Sequence, residues 1–134
     1  MKIVTRMLDD EVYETGTEAG IRLTMDSREA SLKQNQSPVE ALLSSISVCG
    51  AIDITLILKK RKKTIVDFVI EADGVRRDEP PRRFTKVHCK YIITSPDVTE
   101  EELNKTAKLS LEKYCSVVAT LNCPVTFSVE IIRP

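Results

Sequence analysis

The chain has no tryptophan and only 4% aromatic residues, which removes the stacking platforms of single-strand nucleic-acid binders and most tight peptide grooves. It carries no net charge, twenty Lys and Arg balancing twenty Asp and Glu, so the broad positive field on which polyanion binding relies is missing. It has one histidine and no Cys-x-x-Cys, which leaves zinc without its usual ligand sets. Met1-Lys2-Ile3-Val4-Thr5-Arg6 holds no apolar run of the kind that opens a secretory signal. We therefore expect a cytoplasmic protein with no metal, no cofactor, no nucleic-acid partner and no membrane partner. With 134 residues and no repeat, low-complexity stretch or linker, 1–134 is expected to form one domain.

What the chain does have is one long apolar helix. Ser37 can cap it, Pro38 falls at the first helical position, and Glu40 completes a Ser-x-x-Glu capping box. From Leu42 to Leu58 apolar residues appear on nearly every face, so the helix is expected to be enclosed by the rest of the chain. Three serines and Asp53 argue against a bilayer span. The closing run Lys59-Lys60-Arg61-Lys62-Lys63 lies at the negative end of the macrodipole, which explains it without a nucleic-acid partner. Cys49 stands in the middle of this helix, and Asp53, one turn on, could face it and raise its pKa if ionised.

Before the helix, residues 2–8 and about 11–25 read as short antiparallel strands, and the polar stretch 26–36 as an irregular loop. After it, alternation predicts strands over 64–75 and 84–94, joined by a charged turn. The second strand places Val87, Cys89, Tyr91 and Ile93 on one face, so Cys89 is expected as a small core residue and His88 as exposed. Thr99 with Glu102 forms a second capping box for a helix to about Lys113. Residues 114–121 continue as helix or as a second short one, with Cys115 at the break, and 124–132 close the chain as a strand. The class is α+β, with antiparallel sheet against a buried helix.

Four cysteines are present, expected as thiols in a reducing compartment. Cys115 and Cys123 are close in sequence but have no neighbouring histidine, a weak metal pattern. Cys49 and Cys115 lie on helices; they could form a redox pair, or both could be inert packing.

The segments Ser37-Pro38-Val39-Glu40-Ala41-Leu42-Leu43, Ser47-Val48-Cys49-Gly50, Ile57-Leu58-Lys59-Lys60 and Glu112-Lys113-Tyr114-Cys115-Ser116-Val117 resemble the OsmC/Ohr family of thiol-dependent hydroperoxide reductases, and within it the YhfA-type branch. The resemblance runs from about Ile21 to the C-terminus. It implies an OsmC-like fold, a strongly curved antiparallel sheet wrapped around central helices, in an intertwined homodimer. It implies a peroxidase that reduces organic hydroperoxides, with Cys49 as the attacking thiolate, Cys115 as the resolving thiol and a dithiol as reductant. The alternative is a small-ligand-binding protein or thiol redox sensor of the same fold.

Two family features are displaced. A peroxidatic cysteine needs a neighbour that holds it as thiolate, and in the hydroperoxide reductases this is an arginine in the N-terminal strands, oriented by a glutamate after the helix-starting proline. Here Val39 follows Pro38, Glu40 comes one position later, and Asp9 to Gly20 contains no arginine. Glu40 and Arg22 are the candidate supporting residues, with Arg6 and Arg28 as other substitutes for the cation.

Overall fold

The structure, a computed structural model, describes residues 1–134. Its chain forms two compact units, Met1–Leu42 and Leu43–Pro134.

The first unit is a meander of β1 (Ile3–Asp9), β2 (Val12–Thr17) and β3 (Arg22–Asp26), paired antiparallel in that order. The short antiparallel strands expected within 11–25 are β2 and β3, divided by a turn in which the Gly20 N–H donates to the Thr17 carbonyl at 3.0 Å. Gly20 adopts φ 84° there, a left-handed conformation that glycine takes without steric cost. The following loop is not irregular, as its polar composition predicts. Asp26 has no exposed surface and gathers the loop around its carboxylate. Arg28 donates to it from Nε at 2.9 Å, from a terminal guanidinium nitrogen at 2.6 Å and from its backbone N–H at 3.0 Å, and the Gln34 N–H adds a fourth bond at 3.0 Å. The Arg28 side chain and the Gln34 N–H hold the Asp26 carboxyl well below the usual carboxylate range.

α1 (Pro38–Lys60) opens with the predicted box: Glu40 N–H donates to Ser37 Oγ at 3.2 Å, and Ser37 N–H donates to the Glu40 carboxylate at 3.1 Å. It ends with Lys62 in the left-handed region at φ 58°, while the Lys62 and Lys63 N–H groups return to the Lys59 and Leu58 carbonyls. This is the Schellman pattern, with lysine where glycine is common.

The second unit contains most of α1, a three-stranded sheet and a helical connection. β4 (Asp67–Arg76) pairs antiparallel with β5 (Phe84–Thr94), but β6 (Val125–Ile132) pairs parallel to β5 on its other side. The antiparallel expectation therefore fails for β6. The intervening segment, α2 (Glu100–Leu109), a π-helical turn (Ser110–Tyr114) and α3 (Ser116–Thr120), carries the chain back along the sheet before β6 begins, and a parallel pair needs such a crossover. α2 has the predicted Thr99/Glu102 capping box, but α-helical geometry stops at Leu109 rather than near Lys113.

The core of this unit lies between Ile46, Ile54 and Leu58 of α1, Val87, Cys89, Tyr91 and Ile93 of β5, and Leu103 and Ala107 of α2, all without exposed surface. Ile46, Gly50, Ile54 and Leu58 form the buried stripe of α1 at four-residue spacing. The next stripe is open: Val48, Ile52 and Leu56 are each 53–54% exposed. The expectation that the chain encloses this helix is thus met on one side only. By length and composition α1 also qualifies as a membrane span despite its serines and Asp53; core helices of soluble proteins meet the same condition, so this is weak evidence. Of the terminal basic run, Lys63 has a structural task, pairing with Glu102 at 3.2 Å and donating to the Asp97 carbonyl at 3.0 Å.

Candidate functional site

Three elements of the second unit bring cysteines together. α1 carries Cys49, half-buried, followed by the buried Gly50. β5 carries Cys89 and Tyr91, two residues apart and on the same inward face. The third element carries Cys115.

The π turn decides where Cys115 goes. Its N–H reaches back five residues to the Ser110 carbonyl at 2.8 Å, and the backbone then leaves the helix with φ −73° and ψ 101°. Such turns occur often at functional positions. Cys115 becomes the N-cap of α3, and its sulfur accepts from the Val118 N–H at 3.5 Å. It is 3% exposed, and Cys49 acts directly on its thiol. Burial, then the neighbouring Cys49, pushes the Cys115 pKa up to about 11. Ser110 also ties this turn to the cysteine helix, because its hydroxyl donates to the Asp53 carboxylate at 2.8 Å. The carboxylate that the sequence placed one turn from Cys49 thus has a hydroxyl partner.

Tyr91 fills the space beneath Cys49 and Gly50. Its ring is tilted at 46° against Phe68 and Phe127, with centroids at 6.2 and 6.4 Å. A Cβ at position 50 would stand 2.5 Å from the Tyr91 hydroxyl oxygen, so the hydroxyl reaches its place only because residue 50 is glycine. Burial, followed by the neighbouring Cys89, Cys115 and Cys49, pushes the Tyr91 pKa far above the ordinary phenol value. Burial likewise raises Cys89. All four cysteines are free, Cys123 half-buried among them.

The supporting candidates lie in the first unit. Glu40 serves the cap of α1 and pairs with Lys33. Arg22 pairs with Glu14 at 2.6 Å and its side chain is 65% exposed. Arg28 is committed to Asp26. His88 is exposed as expected, its ring nitrogens 2.7 Å from Thr126 Oγ1 and 3.0 Å from Ser128 Oγ.

Sequence reasoning placed Cys49 and Cys115 and put Cys89 beside Tyr91, but assigned Tyr91, Gly50 and Ser110 no place at the site. The signal for Gly50 was a glycine inside an apolar helix, which marks close approach by another group. For Ser110 there was none.

The model of the OsmC-like protein family matches residues 31–130. Protein YhfA of Escherichia coli K12 is 37% identical over 98 residues, 72% of this chain and 73% of that protein. The crystal structure of an OsmC-like protein from Mycoplasma pneumoniae superposes with a TM-score of 0.79 at 19% identity, covering 98% of this chain and 95% of that one. The organic hydroperoxide resistance protein OhrB of Bacillus subtilis gives a TM-score of 0.62 at 17% identity, covering 98% and 96%.

Proposed function

The chain belongs to the OsmC family, and from that premise we propose that it is a thiol-dependent peroxidase that reduces organic hydroperoxides with Cys49 and Cys115. The observation that carries this reading is that Cys49 of α1 and Cys115 after the π turn, far apart along the chain, act on one another in one buried space. Cys49 thiolate attacks the terminal peroxide oxygen: an S–O bond forms, the O–O bond breaks, and the leaving alkoxide takes a proton to become an alcohol. Cys115 thiolate then attacks the sulfur of the Cys49 sulfenic acid, forming a disulfide and releasing water. An external dithiol returns two electrons and two protons by exchange.

The order of events follows from the electrostatics. While Cys49 is charged, that charge helps keep Cys115 protonated. Once Cys49 is a neutral sulfenic acid, this influence is gone and Cys115 releases its proton more readily. The apolar neighbours Val48 and Ile52, both exposed, favour a substrate with a hydrocarbon part over hydrogen peroxide.

The same exposed stripe, continued by Leu56, is the place for a second copy of the chain, and the proposal includes a homodimer. Apolar surface on an α1 stripe opposite a fully packed one fits a helix that is enclosed only in the assembly. A cytoplasmic location accords with four free thiols.

One observation favours the alternative, a ligand-binding protein or redox sensor of the same fold: the candidate cations Arg22 and Arg28 are engaged by Glu14 and Asp26. Consumption of cumene hydroperoxide and of hydrogen peroxide by the reduced protein with a dithiol separates the two. The peroxidase turns over the organic peroxide faster, and Cys49→Ser abolishes it. Stoichiometric reaction without turnover supports the sensor.

A further inference from the structure

We propose that the Tyr91 hydroxyl is the hydrogen-bond donor that holds negative charge on the Cys49 sulfur. The inference rests on Cys49 being the reacting thiol. Tyr91 has no exposed surface, and its hydroxyl is the one buried side-chain nitrogen or oxygen without a hydrogen-bond partner. An orphaned buried hydroxyl costs stability, and phenylalanine would fill the same ring position against Phe68 and Phe127 without that cost. The hydroxyl therefore requires a reason outside the resting fold.

Its position supplies one. It rests against Gly50, the residue after Cys49, and the charges that act on it are those of Cys89, Cys115 and Cys49. In the thiol form these sulfurs are weak acceptors. When Cys49 ionises its sulfur becomes an anionic acceptor, and the unpartnered hydroxyl beside Gly50 can turn its proton to it in a water-poor space. The phenol stays protonated through the working pH range, since its own pKa is driven upward, so it is a permanent donor. Besides Cys49, the ionisable groups that act on the hydroxyl are Cys89 on β5 and Cys115 after the π turn, and the Asp53 carboxylate of α1 is engaged by Ser110.

The test is the pH dependence of Cys49 alkylation by iodoacetamide, followed by mass spectrometry of the Cys49 peptide, in the full-length protein and in Tyr91→Phe. The variant keeps the ring packing and loses only the orphaned oxygen, so its thermal midpoint is expected to be unchanged or higher. The midpoint of the alkylation profile is expected to move toward alkaline pH by about one unit, roughly tenfold less thiolate at neutral pH. A second variant, Gly50→Ala, displaces the hydroxyl with its own methyl group and should move the profile the same way. An unmoved or acid-shifted profile in folded Tyr91→Phe overturns the assignment. Because alkylation needs no peroxide, an alkaline shift in Tyr91→Phe alongside wild-type protein that fails to turn over peroxide would refute the peroxidase and leave the role of Tyr91 standing.

Discussion

The two three-stranded sheets of this chain are built on opposite terms. In the second unit, β5 alternates, and Val87, Cys89, Tyr91 and Ile93 are sealed on one face while Lys86 and His88 stand outside. In the first, all seven residues of β1 are exposed, among them Ile3, Val4, Met7 and Leu8, and Val12 is the one strand residue that counts as buried hydrophobic core. That sheet is held by local polar fastenings, the Asp26 carboxylate with its four donors, the Arg22–Glu14 pair and the Ser37/Glu40 cap. A three-stranded sheet normally needs an apolar face packed on something. The difference teaches that the second unit seals the face carrying the cysteines within its own sheet and helices, whereas the first unit and the open stripe of α1 leave apolar surface exposed, the surface on which the proposed homodimer would rest.

The sharpest way to break this contrast uses neighbouring positions of one helix. Ile54→Ala, in the sealed stripe, is expected to cost about 2–5 kcal/mol by chemical denaturation, since a fully buried side chain leaves a cavity. Ile52→Asp, in the open stripe, should leave the secondary structure intact and change the mass in analytical ultracentrifugation from two chains to one. Wild-type protein sedimenting as one chain would end the dimer reading.

A smaller effect is expected in the first unit. Asp26 has a depressed pKa, so its contribution is complete above the ordinary carboxylate value of 3.8 and is lost as the pH falls through the lower, folded value. Asp26→Asn at neutral pH should speed amide exchange at Arg28 and Gln34 while leaving β5 protected. The smallest effect belongs to Cys115. Its pKa is raised from 9.0 to about 11, the folded state holds the proton longer than the unfolded one, and stability should therefore fall between these pH values. Cys115→Ser should flatten that decline.

Much of the second unit was legible because its signals are local. The cap at Ser37, the box at Thr99 and the period-two pattern of β5 are each set within a few residues, and they place Cys49 and the Cys89–Tyr91 face correctly. The parallel direction of β6 was not legible, because it depends on how the α2–α3 connection crosses the sheet and not on the strand's own residues. Nor was the π turn: the bond from Cys115 to Ser110 leaves no periodic trace, yet it aims the second sulfur at the first. A helix apolar on every face also cannot say which stripe its own chain covers. The polar loop after β3 looked irregular because its order comes from a single carboxylate rather than from a repeat.

The most direct measurement is peptide mapping of the reduced protein after one equivalent of cumene hydroperoxide, with free thiols blocked before digestion. A Cys49–Cys115 disulfide as the dominant product, absent when either residue is serine, is the predicted result. A disulfide joining Cys49 to Cys89 or Cys123, or four alkylated thiols with the peroxide intact, would contradict a two-cysteine centre made by α1 and the π turn.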